Sequence, residues 1–143
     1  MASLSRFLEA QQGIYPRALS ELRSGKKTRH WIWYIFPQIA GLGNSDRARF
    51  YAIADRTEAA AYLSHPPLAS RLEEMTDAML AWAGRRSTDD ILGPVDALKF
   101  RSSMTLFEAV GGGERFARAI DAFHDGERDA ETLRLLGVPA AQN

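Results

Sequence analysis

The stretch His30-Trp31-Ile32-Trp33-Tyr34-Ile35-Phe36-Pro37-Gln38 carries the strongest structural signal in this chain. Aromatic residues occupy four of its nine positions, whereas they make up 10% of the whole sequence. Residues 31–36 are apolar throughout, so neither helical nor strand periodicity can be assigned to them. Because the run is short and ends at Pro37, we expect a buried segment that is either extended or a single helical turn.

Outside this stretch the chain is patterned as short amphipathic helices. The clearest lies over 67–83, where Leu68, Leu72, Met75, Met79 and Trp82 recur at spacings of four and three and so share one face. Apolar stripes bounded by polar caps, glycine or proline predict further helices near residues 4–8, 15–24, 45–52, 57–65, 87–93, 100–110, 116–123 and 129–136. The sequence therefore predicts a mainly α fold.

One segment would allow a minor β element. Polar residues alternate with less polar ones over 98–104, so this segment would pair with 31–36 as two short strands. We expect a compact single-domain bundle of short helices over residues 1–143, with at most this two-stranded element. The last residues, 138–143, are expected to form a frayed tail.

Composition and charge narrow the classes of function. Eighteen basic and eighteen acidic side chains cancel, so the whole chain favours neither nucleic acid nor a membrane surface as a partner. From 17 to 29, however, basic side chains predominate, with a local net charge of about +4 by counting ionised groups.

The absence of cysteine excludes disulfides, thiolate zinc sites and a cysteine nucleophile. The longest apolar run is far shorter than the ~20 residues of a membrane helix. No secretory signal opens the chain, and we expect a cytoplasmic location.

Ordered blocks of sequence match a known bacterial family. They are Arg6-Phe7-Leu8-Glu9-Ala10-Gln11, Gly25-Lys26-Lys27 followed by residues 30–38, Gly41-Leu42-Gly43-Asn44-Ser45, Ala61-Tyr62-Leu63-Ser64-His65-Pro66 and Lys99-Phe100-Arg101-Ser102-Ser103-Met104-Thr105-Leu106-Phe107. Through them the chain resembles domain of unknown function 1810 over nearly its whole length. The resemblance implies a compact, mainly α-helical single domain and supplies no catalytic residues. Some relatives are labelled calpastatin, but such inhibitors are disordered repeats, whereas this chain is non-repetitive and rich in core residues.

Residues 26–29, here called the basic segment, and the aromatic stretch that follows them together predict one half of a ligand site. Lys26 and Lys27 would hold a phosphate or carboxylate as point charges. Trp31 and Trp33 would flank a planar group, since stacking on an aromatic ring is worth ~1–3 kcal/mol per base. Gln38, or alternatively Asn44, would supply directional hydrogen bonds. The competing interpretation is that both indoles simply pack in the core, where their large apolar area is buried.

His30 is the candidate for acid–base chemistry. It joins the basic segment to the aromatic stretch, and an unperturbed imidazole titrates near pH ~6.5. It would be the first choice for a catalytic residue if the protein is an enzyme. The alternative is a structural histidine, because no acidic partner adjoins it in the sequence.

A second polar block, from Lys99 to Ser103, predicts the other half of the site. Lys99 and the hydroxyls of Ser102 and Ser103 have the three- and four-residue spacing that a serine–lysine nucleophile requires. Lys99 and Arg101 with these hydroxyls would instead form an anion seat at a helix N-terminus. A plain helix cap is the third interpretation.

Metal and nucleotide-loop motifs are not recognisable in the sequence. The three histidines lack the HExxH spacing, so we predict no metal site and no cofactor. Gly25-Lys26-Lys27-Thr28 is similar to the end of a phosphate-binding loop, but position 20 is serine where that motif needs glycine.

Three functional hypotheses follow from these patterns. The first is a small anionic ligand, nucleotide- or phosphate-like, held in a basic and aromatic pocket by both blocks. The second is a protein-interaction module without a catalytic site, in which both blocks are only core and cap. The third is RNA binding through Lys26, Lys27 and Arg29, which the zero net charge disfavours.

Overall fold

Ten α-helices make up the regular structure of residues 3–138, the part of the chain that this computed structural model describes. They are α1 (Ser5–Gln11), α2 (Tyr15–Arg23), α3 (Ile32–Ile35), α4 (Asp46–Phe50), α5 (Arg56–Ser64), α6 (Pro66–Leu80), α7 (Thr88–Leu92), α8 (Pro94–Ala109), α9 (Glu114–His124) and α10 (Ala130–Leu135). The prediction of a mainly α-helical bundle is confirmed.

Local sequence signals set the ends of several helices. The side chains of four N-cap residues accept hydrogen bonds from backbone amides three positions later, which satisfies donors that the first turn leaves free; these residues are Ser45, Asp55, Ser87 and Asp129. Gly25 follows α2 with a φ of +81°, a conformation that glycine adopts without a Cβ penalty. Each of these ends could be inferred from neighbouring residues alone.

The aromatic stretch forms a single helical turn, α3, instead of a strand. Trp31, Ile32, Ile35 and Phe36 are buried, and α3 packs against α1, α6 and α8. The strand pairing predicted with 98–104 is wrong because that segment lies inside α8. Within residues 3–138, Ile39 and Ile53 form an isolated parallel β-bridge.

The core is built around α8, which packs on α3, α5, α7, α9 and α10. The rings of Phe36 and Phe100 meet edge to face with their centroids 4.9 Å apart, joining the aromatic stretch to this central helix. Tyr62 of α5 packs on Phe107 of α8, with the ring centroids 5.3 Å apart. Burying a phenylalanine side chain contributes about 1.5–3 kcal/mol, so the Phe36–Phe100 contact holds the aromatic stretch on α8 and the Tyr62–Phe107 contact holds α5 there.

Residues 40–52, here called the α4 loop, leave the core and return beside their starting point. The loop is closed at its base by two backbone hydrogen bonds of 2.8 Å, from Ala40 to Ile53 and from Ile53 to Gln38. Its helix, α4, contributes no buried residue. The position of the loop therefore depends on the hydrogen bonds at its base more than on packing of α4 against the core.

A buried arginine holds the end of the α4 loop. Arg6 donates to the backbone carbonyls of Phe50 at 2.8 Å and Ala52 at 2.7 Å, and it forms an ion pair of 3.0 Å with Glu58. A guanidinium presents several donors in a fixed fork, so one side chain can serve all three acceptors. Arg6 thus ties α1, α5 and the α4 loop together.

The described part of the chain holds no helix that is both long and apolar enough to cross a membrane. Of the predicted frayed tail, residues 138–143, only Val138 lies within the described residues. Its amide donates to the carbonyl of Leu133 at 2.9 Å.

Candidate anion-binding site

The indole of Trp31 is fully buried and serves the structure. Its Nε1 donates to a carboxylate oxygen of Glu21 at 2.9 Å. The same carboxylate accepts from the backbone amides of Thr28 and Arg29 at 2.8 and 3.1 Å and from the Arg29 guanidinium at 2.7 Å. Glu21 thereby folds the basic segment back onto α2, and Trp31 is not available to stack on a ligand.

The hydrogen bonds keep Glu21 ionised in spite of its burial. Burial alone raises the pKa of this carboxyl, but the donors of Thr28, Arg29 and Trp31 outweigh it and lower the pKa to about 2. No sequence motif marks this role of Glu21, although it is the one acidic residue between 17 and 29.

Lys27 and Lys99 meet at one carboxylate, that of Asp96. Nζ of Lys27 lies 2.8 Å from one oxygen of Asp96, and the Lys27 side chain is almost fully buried. Nζ of Lys99 lies 3.6 Å from the other oxygen, and the Lys99 side chain is partly exposed. The two predicted blocks are therefore adjacent in space. Two ammonium groups share one carboxylate, so one positive charge remains, on the more exposed Lys99.

Trp33 lies close to two cations. Nζ of Lys99 is 4.9 Å from the centroid of its ring, and the guanidinium carbon of Arg47 is 5.1 Å from it. Both distances fall within the range of a cation–π interaction. Trp33 is half-buried.

Next to Trp33, four polar side chains surround a cavity of 240 Å³ that is also lined by Ala10. They are His30, Tyr34, Arg47 and Tyr51. The ring centroids of Tyr34 and Tyr51 lie 5.2 Å apart. Tyr51 follows α4 directly, and its amide donates to the carbonyl of Arg47 at 3.1 Å. No carboxylate lines the cavity, and no acidic side chain among residues 3–138 forms an ion pair with Arg47.

The groups around this cavity present hydrogen-bond donors. Burial and the neighbouring Tyr51 raise the pKa of Tyr34, and the charge of Arg47 only partly opposes them, so the phenol stays protonated at neutral pH. A protonated phenol and a guanidinium both donate, and His30 can donate or accept. The chemistry of the cavity therefore suits an anion.

Two residues of the predicted site, Lys26 and Gln38, line other cavities. Lys26 lines a separate groove along α2, with Arg17 and Arg29 among its walls. Gln38 is half-buried and lines a cavity of 130 Å³ on the other side of the α4 loop, with Arg49. The predicted alternative to Gln38, Asn44, is exposed within that loop.

The rest of the Lys99–Ser103 block turns away from the cavity. Arg101 lines a groove beside α10 and donates to the carbonyl of Arg128 at 3.4 Å. Ser102 donates to the carbonyl of Leu98 at 3.1 Å, inside its own helix. Ser103 is fully buried, and its hydroxyl has no partner among residues 3–138. Of this block, Lys99 alone lies against Trp33, whose ring is also close to Arg47 of the cavity.

The donor set does not resemble a metal centre. Within residues 3–138, no three histidine or carboxylate side chains gather in a way that could hold a metal ion. The predicted residues that the structure brings together are Lys27, His30, Trp33 and Lys99. Tyr34, Arg47 and Tyr51 complete the site.

Comparisons with known proteins agree with this architecture. A family model described as "Protein of unknown function (DUF1810)" matches residues 1–136. The crystal structure of the conserved hypothetical protein Rv1873 from Mycobacterium tuberculosis is similar, with 40% sequence identity and a TM-score of 0.92 over 96% of this chain and 99% of that chain. The comparison with curated proteins returned no match. The chain belongs to the family of proteins of unknown function DUF1810.

Proposed function

We propose that this protein binds a small ligand through a phosphate or carboxylate group, held in the cavity between His30, Tyr34, Arg47 and Tyr51. The observation that supports this proposal is the convergence of four donor-bearing side chains on one cavity without a lining carboxylate. A bound anion would complete the hydrogen bonding of Arg47, whose planar fork suits carboxylate and phosphate oxygens.

Charge and volume support the same proposal. Asp96 compensates the buried Lys27, which leaves Lys99 as a second cation beside Trp33. The cavity, at 240 Å³, is smaller than the roughly 300–1,000 Å³ of pockets that enclose a whole ligand. It would therefore take the anionic group, and the remainder of the ligand would lie outside against Trp33. His30 would be the group available for proton transfer to it.

A thermal-shift screen with a matched pair of variants tests the proposal. Inorganic phosphate, nucleotides and dicarboxylates are compared on the native protein, Arg47→Gln and Arg49→Gln. Both arginines are exposed on α4, but only Arg47 lines the cavity. A ligand at 100 times its Kd should add about 2.7 kcal/mol of stability, which Arg47→Gln should abolish and Arg49→Gln should retain. Equal shifts in the two variants would contradict the proposal.

A protein-interaction surface is the second candidate, and exposed apolar residues favour it. Phe50, Val95 and Leu98 are 58%, 67% and 61% exposed. Phe50 packs on Tyr51 of the cavity with ring centroids 4.8 Å apart, and Val95 lies four residues from Lys99 on α8. Val95 and Leu98 are three residues apart on α8 and so share one face, and adjacent exposed apolar groups typically mark a surface for a binding partner. Under this candidate, Phe50→Ser and Leu98→Ser would abolish a protein partnership that Arg47→Gln leaves intact, and no small anion would bind.

RNA binding has less support from the geometry. Arg29 is paired with Glu21, and Lys27 with Asp96, so of the three predicted residues only Lys26 remains without an acidic partner among the described residues. A single exposed cation provides little phosphate affinity.

A further inference from the structure

We propose that the groove between α2 and the basic segment, here called the α2 groove, is a docking surface for an acidic, extended segment of a partner protein. The groove has a volume of 710 Å³. It shares no lining residue with the cavity at Arg47, so this proposal does not depend on the proposed anion site.

One wall of the α2 groove is a polar stripe on α2. Arg17, Ser20 and Ser24 follow one another at spacings of three and four, so they lie along one side of the helix and its C-terminal end. All three side chains are exposed. At 1.5 Å per residue the stripe is about 10 Å long, which matches about three residues of an extended chain.

The other wall is the basic segment, which is fixed to the body of the protein. The amide of Lys26 donates to the carbonyl of Glu21 at 3.0 Å, and the amide of Lys27 donates to the carbonyl of Ile91 at 2.7 Å. The amide of Thr28 donates to the carboxylate of Glu21 at 2.8 Å. Because these contacts already hold the wall in place, little conformational freedom remains to be lost when a partner binds.

The charges of the α2 groove favour a partner with carboxylates. Arg17 and Lys26 are exposed, and neither forms an ion pair with an acidic side chain among residues 3–138. Glu21 is the acidic residue that lines the groove, and its ion pair with Arg29 at 2.7 Å leaves no net charge on the two. Two uncompensated positive charges therefore face the groove.

Exposure and composition favour a protein segment over the other anions. Each lining residue except Glu21 is exposed, so a single small anion would keep most of its water shell there. A chain that carries several carboxylates can pair with both cations at once, and the second contact is then intramolecular. No aromatic side chain of the described residues lines the groove, so it offers no ring on which the bases of RNA would stack.

Fluorescence anisotropy with labelled hexaglutamate and labelled hexauridylate tests the proposal. The peptide should bind the native protein more tightly than the RNA does. The double variant Arg17→Gln with Lys26→Gln should weaken peptide binding about tenfold, through the loss of two exposed ion pairs. The control is Arg23→Gln with Arg85→Gln, which removes the same two charges from a separate groove beside α6 and should leave the affinity for the peptide unchanged.

An NMR titration of the native protein with hexaglutamate locates the contact without any substitution. We expect the amide signals of Ser20, Ser24 and Thr28 to shift and those of Tyr34 and Tyr51, in the other cavity, to stay in place. Equal weakening in the two double variants would show that the peptide responds to net charge alone and would overturn the proposal. Tighter binding of hexauridylate, or no binding of hexaglutamate, would also overturn it.

Discussion

Lys27 and Asp96 form an ion pair of 2.8 Å in which the lysine side chain is 6% exposed and the aspartate side chain 17%. The first residue belongs to the basic segment after α2, and the second to the first turn of α8. A buried charge is costly unless it is paired, so this contact fixes the basic segment against α8. It joins the segment that leads into Trp33 to the helix that carries Lys99.

Removing the carboxylate of Asp96 should destabilise the fold strongly. Asp96→Ala leaves Lys27 buried without compensation, and we expect a loss of about 3–5 kcal/mol in the free energy of unfolding, measured by urea denaturation. The double variant Lys27→Met with Asp96→Leu should recover most of it, since apolar groups can replace a buried pair. Lys99→Met, at the more exposed end, should cost less than about 1 kcal/mol. A small loss in Asp96→Ala would show that the pair is not structural.

Glu21 should make stability depend on acid pH. Its folded-state pKa of about 2 lies below the ~4.3 of an unfolded glutamate, so its contribution is complete above pH ~5 and is lost as the pH falls towards 2. We expect Glu21→Gln to lower the free energy of unfolding by about 3 kcal/mol at pH 7, with the deficit vanishing near pH 2. The same substitution at the exposed Glu9 serves as the control. A deficit that is constant from pH 7 to pH 2 would show that ionisation of Glu21 is irrelevant.

Arg6 should control the order of the α4 loop and, through it, the affinity for anions. Arg6→Lys keeps the charge beside Glu58 but loses the fork that serves Phe50 and Ala52. We expect faster amide hydrogen exchange over 40–52 and weaker phosphate binding, with exchange in α8 unchanged. Because α4 contributes no buried residue, its protection depends on these contacts. Unaltered exchange over 40–52 would show that Arg6 does not hold the loop.

The helices could be predicted from the sequence because their signals are local. Caps such as Ser87 and Asp129 and the apolar face of α6 act within one or two turns. The conformation of 31–36 remained open between strand and turn, since a uniformly apolar run has no period. In the structure this run forms a helical turn that packs against α1, α6 and α8, which are distant contacts that a local pattern does not encode.

Half of the candidate site depends on long-range contacts, and the sequence therefore did not reveal it. Arg47 and Tyr51 reach the cavity because the Ile39–Ile53 bridge folds the α4 loop back, which no local pattern encodes. Lys99 and Arg101, predicted together, are two residues apart on a helix and so point in different directions. Knowing that 98–104 is helical would have separated them.

The most direct test of the anion site is the crystal structure of the protein soaked with tungstate, a heavy analogue of phosphate. The anomalous signal shows where the anion binds without any assumption about the natural ligand. We predict a tungstate within hydrogen-bonding distance of the Arg47 guanidinium and the Tyr34 and Tyr51 hydroxyls, and no tungstate there in Arg47→Gln crystals. Tungstate bound only along the α2 groove at Lys26, or an empty cavity at saturating tungstate, would contradict the account.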